Sequence, residues 1–262
     1  MTIMPNPIAF EIGPVAVRWY GILISMAILI GTILVLKQAE RLKLDQDKIL
    51  NLIIIVLPAA FIGARAWYVI FSWGYYSVNP EQILQIWHGG LAIHGGLFGG
   101  VLAGYFYSRA VGFNFWQLAD IFAPSLILGQ AIGRWGNYFN QEAYGYETNL
   151  PWAMFIDGAY RHPTFLYESL WNLGVFAFLI WWRRKKNLVI GEIFLAYAVL
   201  YSVGRVIIES FRTDSLMFGP LRTAQVISIL VIIVGMSMII LWRKKAPAVQ
   251  ETLSKSKRKS KR

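Results

Sequence analysis

A run of polar residues set among glycines and aromatic rings, Gly133–Gly145, is the segment of this 262-residue sequence best suited to chemistry. It holds the guanidinium of Arg134, the amides of Asn137 and Asn140, and the carboxylate of Glu142. An arginine presents a planar fork of donors that matches two phosphate oxygens at once. Asn can hold hydroxyl groups, and Glu can orient the arginine or take a proton. The plainer interpretation is a solvated loop, but such a loop carries more Ser and Lys and fewer aromatic residues. The segment therefore indicates a site for an anionic ligand.

A second candidate cluster is a stripe of residues spaced four apart, Tyr201, Arg205 and Glu209. Residues at this spacing share one face of a helix, and Arg212 falls close to that face. Ionisable side chains at membrane depth are costly and are by default candidates for function. A structural ion pair between helices is the alternative interpretation of this stripe.

His94 is the third candidate, because it stands among apolar residues next to Gly95 and Gly96, which let a ligand approach the backbone. We expect a buried histidine here, acting either as a chemical group or as an ordinary core residue. Gly96, Gly100 and Gly104 repeat every four residues, which predicts a small-residue face for close helix packing. No metal site is expected, since the chain has three His, no Cys and no H-E-x-x-H motif.

The composition places these clusters in a membrane protein. Hydrophobic residues make up 56% of the chain, only 15% is charged, and the mean hydropathy is +0.49, whereas an average soluble domain is about 25% charged. A bilayer core needs about 20 mostly apolar residues, and sheets with open edges cannot lie in lipid. We therefore predict an all-α membrane protein with seven transmembrane helices. The predicted spans are Tyr20–Leu36, Ile49–Phe71, Leu91–Tyr107, Phe115–Ile132, Leu166–Trp182, Ile190–Ile208 and Ala224–Trp242.

The cations predict the orientation of these spans. All 11 lysines fall on the side of the C-terminus, whereas the opposite side carries arginine alone. The positive-inside rule then puts the C-terminus in the cytoplasm and the N-terminus outside. The arginines on the outer side are Arg18, Arg134, Arg161, Arg205, Arg212 and Arg222.

Two regions are expected from this arrangement. Residues 1–245 form the transmembrane domain, with a small extracytoplasmic head over Gly136–Pro163. Residues 246–262 form a basic, disordered cytoplasmic tail that contacts anionic lipid. Binding of nucleic acid is not expected, because no aromatic interleaving or binding fold accompanies the tail.

In these motifs the sequence resembles the prolipoprotein diacylglyceryl transferases of bacterial membranes, over nearly the whole chain up to the basic tail. The Gly133–Gly145 segment is similar to the signature of that family, although Tyr138 stands where phenylalanine is common. The positions that match are Arg18, Trp19, Tyr20, Gly21, His94, Gly95, Gly96, Leu97, Gly133, Arg134, Gly136, Asn137, Asn140, Glu142, Gly145, His162, Pro163, Tyr201, Arg205 and Glu209.

The resemblance implies a reaction. The diacylglyceryl group of phosphatidylglycerol moves to the thiol of the lipobox cysteine in a lipoprotein precursor, a thioether forms, and glycerol phosphate leaves. The implied partners are phosphatidylglycerol, the signal peptide of the precursor with its lipobox cysteine, and the lipid bilayer. The implied location is the bacterial plasma (inner) membrane, in a multi-pass arrangement, and no cofactor is expected.

The chemistry of this reaction suggests roles for individual residues. A free thiol has a pKa of about 8.5 and is mostly protonated near neutral pH, so a base helps. His94 is the expected base, and Glu142, Glu209 or the field of the arginines alone are the alternatives. Arg134 and Arg205 stabilise the charge on the leaving phosphate. Catalytic positioning is expected of Tyr20, Asn137 and Glu142, and binding of phosphatidylglycerol of Arg134, Arg205, Asn137, Asn140, Gly145, Tyr201 and Glu209.

A protein of another class would carry some of the same features. A non-catalytic lipid-binding or transport protein, such as a lipid flippase, also needs arginines at the outer leaflet. It does not need His94, and it makes no thioether.

Overall fold

The computed structural model describes residues 5–13, 15–86, 89–185 and 187–259, and its elements are mostly helices. Three short antiparallel hairpins accompany the helices within these residues. Their strands are β1 (Ile8–Ile12) with β2 (Val15–Arg18), β3 (Met154–Ile156) with β4 (Ala159–Arg161), and β5 (Met217–Phe218) with β6 (Leu221–Arg222). The α-helices are α1 (Trp19–Arg41), α2 (Gln46–Phe71), α3 (Trp73–Tyr76), α4 (Ile93–Val111), α5 (Phe115–Phe139), α6 (Thr164–Trp182), α7 (Glu192–Glu209) and α8 (Thr223–Lys259).

Five of the described helices are long and apolar enough to cross a membrane, judged by length and composition. They are α1, α2, α5, α6 and the Thr223–Lys245 part of α8. The chain is thus an all-α membrane protein, as its composition predicts. The two other predicted spans also form helices, α4 and α7, but α4 carries five glycines and α7 includes Glu192, Arg205 and Glu209. These residues lower the apolar character of both helices, and the count of seven spans stays a prediction.

Two helices extend beyond the predicted membrane spans. Helix α5 continues past the predicted end of its span at Ile132 to Phe139, so Arg134, Gly136 and Asn137 lie on a helix. Hydropathy marks only the apolar part of a helix and misses a polar extension whose side chains find partners. Helix α8 is described through residues 246–259, and the disorder of the basic tail and its contact with lipid stay predictions. Residues 260–262 of the predicted tail lie outside the described residues.

The chain divides into two compact units. Residues 32–118 form the small unit, and residues up to 31 together with residues 119 onwards form the large unit. The small unit contains His94, whereas the other candidate site residues belong to the large unit.

Helices α2 and α4 of the small unit pack with their backbones in contact. A Cβ atom added to Gly95 would lie 2.2 Å from the carbonyl oxygen of Gly63, and one added to Gly99 would lie 2.5 Å from a backbone oxygen of α2. Gly96 and Gly100 meet α2 at ordinary van der Waals distances. Close packing of α4 on α2 is confirmed, but its tightest points are Gly95 and Gly99, next to the predicted residues, and a Cβ atom added to Gly104 would meet α2 only at 3.9 Å.

The loop that leads into α4 is held by one arginine. Arg65 of α2 is buried, and its guanidinium donates to the carbonyl oxygens of Gln82 at 2.6 Å, Ile83 at 2.8 Å, and Gly89 and Gly90 at 2.9 Å each. These bonds fix the start of α4, where His94 is the second residue.

Helices α5, α6 and α7 form the core of the large unit. The carboxylate of Asp120 on α5 accepts the N–H groups of Gly191 at 2.6 Å and Phe194 at 2.9 Å, which satisfies donors at the start of α7. Buried Glu192 pairs with Arg243 of α8 at 2.5 Å. The buried core side chains are Ala123, Ile127, Val175, Leu179, Ile193 and Ala196.

The contact between α2 and α4 makes a prediction about stability. A Gly95→Ala substitution places a methyl group against the backbone of Gly63, so we expect the free energy of unfolding to fall by about 1–3 kcal/mol. Thermal unfolding of the detergent-solubilised protein measures this loss. The control is Gly100→Ala, whose methyl group has its nearest neighbours at 3.6 Å. Equal unfolding midpoints for the two variants would contradict the close backbone contact.

Candidate functional site

One buried carboxylate gathers three arginines in the large unit. Glu168 is only 4% exposed, and its two oxygens pair with Arg134 at 2.5 Å, Arg205 at 2.9 Å and Arg212 at 3.4 Å. We call these four residues the arginine cluster. Its members come from α5, α6, α7 and the segment after α7, so the cluster joins three helices at one point.

Each arginine of the cluster also has a second acidic or polar partner. Arg205 pairs with Glu209 at 2.7 Å, one helical turn along α7, so the predicted Arg205–Glu209 face is confirmed. Arg134 donates to the side-chain oxygen of Asn137 at 3.4 Å. Tyr201 lies one turn before Arg205, with its ring 6.3 Å from that of Tyr197. Because Arg205 also pairs with Glu168 of α6, the stripe takes part in an ion pair between helices, and its role in binding a ligand stays a prediction.

The guanidinium groups keep capacity for a ligand. A guanidinium has five N–H donors, and the contacts above use two on Arg134 and two on Arg205. Both side chains are half-buried, which removes part of the water that competes for these donors. The arrangement can therefore bind phosphate oxygens while Glu168 and Glu209 hold the arginines in place.

Arg212 is fixed more tightly than the other two arginines. Its Nε and Nη2 donate to the two oxygens of Asp214 at 2.9 and 2.7 Å, a two-point ion pair. Burial alone would raise the pKa of Asp214, but the hydrogen bond and charge of Arg212 hold that pKa below its ordinary value. The carboxylate thus stays charged and leaves Arg212 a fixed element of the cluster.

A network of amides adjoins Arg134. Asn137 and Asn140 both donate to the same oxygen of Glu142, at 2.9 and 3.2 Å. The backbone N–H of Glu142 donates to the carbonyl of Asn137 at 3.0 Å, which folds the chain back at the end of α5. The structure thus brings Arg134, Asn137, Asn140 and Glu142 into one network of contacts, and their joint role in a reaction stays a prediction.

Tyr20 lies against the same part of α5. A Cβ atom added to Gly136 would lie 2.0 Å from a ring carbon of Tyr20, so only glycine admits the ring at this position. The neighbouring Trp19 stacks on Phe139 with ring centroids 5.0 Å apart. Gly136 thereby brings Tyr20 to the helix that carries Arg134 and Asn137.

Gly145 is placed where two other segments cross. Its N–H donates to the carbonyl of His162 at 3.0 Å, and it forms an isolated bridge with Arg212. An added Cβ atom would lie 2.6 Å from the Cβ of His162 and 2.8 Å from the carbonyl oxygen of Phe211. Gly145 thus connects the segment between α5 and α6 to the arginine cluster, and its direct contact with a lipid stays a prediction.

His94 differs from the expectation. The structure leaves its side chain exposed at the start of α4, not buried, because glycines flank it on α4 and its neighbours Ile93 and Leu97 are themselves exposed. His94 belongs to the small unit, and the contacts described above all lie within the large unit.

Sequence reasoning missed Glu168. The signal was present, because Thr164, Glu168 and Asn172 are polar residues spaced four apart on a mostly apolar helix, and all three are buried. A polar stripe of this kind on an apolar helix indicates buried partners. Among the described residues no group of three or more His, Asp or Glu could hold a metal ion.

The arginine cluster predicts a large effect of neutralising its acid. A Glu168→Gln substitution keeps the shape but leaves three guanidinium groups without their shared counter-charge. We expect the free energy of unfolding to fall by about 3–5 kcal/mol, as when one partner of a buried pair is removed. The control is Glu147→Gln, because Glu147 is 68% exposed and pairs with Arg161 at 3.3 Å, and such a pair contributes about 1 kcal/mol or less. Equal thermal stability of the two variants would contradict the central position of Glu168.

Comparison with known proteins gives a consistent result. The family model for prolipoprotein diacylglyceryl transferase matches residues 7–241. The phosphatidylglycerol–prolipoprotein diacylglyceryl transferase of Bacillus licheniformis is 52% identical over 91% of this chain and 93% of its own length. The enzymes of the same name from Bacillus mycoides and Bacillus cereus are 50% and 49% identical over 92% of this chain and 93% of their own lengths. With its arginine cluster and the Gly133–Gly145 motif in place, the chain belongs to the prolipoprotein diacylglyceryl transferase family.

Proposed function

We propose that this protein transfers the diacylglyceryl group of phosphatidylglycerol to the thiol of the lipobox cysteine of prolipoproteins, the first step of bacterial lipoprotein maturation. The thiol sulfur forms a bond to the glycerol carbon that carries the phosphate. The bond between that carbon and the phosphate oxygen breaks, glycerol phosphate leaves, and the thiol proton passes to a base. The observation that carries this proposal is the half-buried arginine cluster, in a chain whose relatives have this name.

Arg134 and Arg205 are the residues that receive the phosphate in this proposal. Both are held by Glu168, at 2.5 and 2.9 Å, and both keep N–H donors beyond their acidic partners. Negative charge grows on the phosphate oxygen as the carbon–oxygen bond breaks. Donors that are already oriented stabilise this charge without reorganisation, which is the largest single contribution in many enzymes.

The groups around the arginines position the lipid headgroup. Glu142 holds the amides of Asn137 and Asn140 through one oxygen, so its other oxygen can accept a glycerol hydroxyl. The ring of Tyr20, on α1, packs against Gly136 in the same part of α5. Asn140, Gly145, Tyr201 and Glu209 complete the proposed headgroup site.

His94 is the proposed base, and the exposure of its imidazole leaves it accessible to the thiol of an incoming peptide. Glu142, Glu209 and the field of the arginines are the other candidates for activating the thiol. Glu209 is the weakest of these, because it is buried and paired with Arg205 at 2.7 Å.

The proposed setting is the bacterial plasma (inner) membrane with seven spans, the N-terminus outside and the C-terminus in the cytoplasm. Helices α4 and α7 are the additional spans beyond the five apolar ones. The lysines support this orientation, because all 11 fall on the side of the C-terminus. A transmembrane domain over residues 1–245 then carries catalysis, and the basic residues that follow contact the inner leaflet. The signal peptide of the precursor packs laterally on the helices.

The function is tested by mass spectrometry of a lipobox peptide incubated with the purified protein and phosphatidylglycerol. We expect a mass gain of one diacylglyceryl unit on the cysteine, because the thioether is stable. A peptide with Ser in place of the lipobox cysteine is the control and should stay unmodified. Binding or movement of the lipid without any mass gain would instead indicate a lipid-binding or transport protein.

Bidentate binding of phosphate by the guanidinium of Arg134 predicts the effect of an Arg134→Lys substitution. Lysine keeps the charge but cannot hold Glu168, Asn137 and a phosphate together, so we expect the transfer rate to fall roughly a hundredfold, about 3 kcal/mol. The matched control is Arg161→Lys, an arginine of the head that pairs with exposed Glu147. An Arg134→Lys variant with the rate of the unmodified protein would rule out phosphate binding through the fork of Arg134.

A further inference from the structure

The hairpin of β5 and β6 exposes a cluster of large apolar side chains. Leu216, Met217, Phe218 and Leu221 are 78%, 59%, 71% and 54% exposed. The turn between the strands contains Gly219, which has a φ of +61°. Large apolar residues that cluster at a surface mark a place where another apolar phase or molecule is met.

The position of the hairpin in the chain says which phase this is. Its last residue, Arg222, directly precedes Thr223, the first residue of the apolar part of α8. This part runs to Lys245, and its most apolar stretch is more hydrophobic than that of the four other apolar helices. The hairpin ends one residue before this apolar segment begins, and one residue of helix covers only about 1.5 Å. The hairpin therefore lies at the surface of any membrane that α8 crosses.

The lack of charged side chains at the tip of the hairpin agrees with contact to lipid. Residues 215–221 contain no charged side chain, and the nearest charges are Asp214 before them and Arg222 after them. No charge therefore has to leave water when the tip enters the lipid interface. The backbone sets the depth, because the two strands pair only at Met217 with Arg222 and Phe218 with Leu221. The unpaired groups of the turn restrict insertion to the interfacial layer.

The base of the hairpin is clamped to the candidate site by Arg222. Its Nη1 donates to the carbonyl oxygens of Glu209 and of Arg212, the latter at 2.8 Å, and to the hydroxyl of Ser215 at 3.1 Å. Its Nη2 donates to the hydroxyl of Tyr146 in the head at 2.8 Å. Arg222 thus holds the backbone of two residues whose side chains belong to, or pair with, the arginine cluster.

We propose that the hairpin of residues 215–222 inserts its apolar tip into the lipid surface next to the arginine cluster and, through Arg222, sets the cluster at the level of the lipid headgroups. The occupant of this surface is the bilayer itself. The inference rests on the proposed function for its meaning, but the contact with lipid exists whether or not the protein transfers diacylglyceryl groups.

The experiment uses the absence of cysteine from the chain. Single-cysteine variants Phe218→Cys and Leu216→Cys, labelled with an environment-sensitive fluorophore, are reconstituted in vesicles of phosphatidylcholine and phosphatidylglycerol. Quenching is measured with a spin-labelled lipid and with iodide on both sides of the membrane. The matched control is Tyr160→Cys in β4, an exposed aromatic position on another hairpin. We expect the label on residues 216 and 218 to be quenched by lipid roughly threefold or more above the control and to be shielded from iodide, as for residues in the interfacial belt.

Two outcomes overturn the proposal. In one, both hairpin labels respond to iodide and lipid as the Tyr160→Cys label does. In the other, they become shielded only when the lipobox peptide is added, which would assign the surface to the precursor. Either hairpin position suffices if the other variant does not fold. No turnover is needed, so failure of this proposal and absence of diacylglyceryl transfer are separate results.

Discussion

The buried carboxylate of Glu168 is the interaction on which the candidate site depends. Three guanidinium groups lie within 3.4 Å of its oxygens. Without the carboxylate, these groups would repel one another in a partly buried environment of low dielectric constant. Removing charges from water is costly, and the cost is offset only when geometry and hydrogen bonds are good. Glu209, Asp214 and Asn137 complete this compensation. The result is a set of arginines that is oriented before any ligand arrives.

Glycine makes the close approaches that such a site requires. Gly136 admits the ring of Tyr20 to α5, and Gly145 allows the head to cross the segment that holds Arg212. In the small unit, Gly63 and Gly95 bring the backbones of α2 and α4 into contact beside His94 in the sequence. Each of these positions has no room for a Cβ atom, so the positions of functional side chains depend on residues that carry no side chain.

Much of the site could be predicted because its information is local. The residues from Arg134 to Glu142 are close in sequence, and Arg205 and Glu209 are one helical turn apart, so their proximity follows from the chain alone. Glu168 was missed because its three partners come from positions far away in the sequence. The prediction that His94 is buried was wrong, because its apolar sequence neighbours are themselves exposed. The end of α5 was placed too early because hydropathy does not detect a helical turn whose polar groups are satisfied.

The sequence by itself determined the class of the protein, its helices and the residue types able to bind an anion, because hydropathy and helical spacing are properties of neighbouring residues. It also carried the family, through the order of its motifs. Only the tertiary structure decided which acid pairs with which arginine. It also decided that Arg222 clamps an apolar hairpin to the site, and that Gly136 and Gly145 allow neighbouring groups to approach the backbone closely. The physical reason is that ion pairs and steric fit act between side chains a few ångströms apart, and folding brings these together from distant parts of the chain.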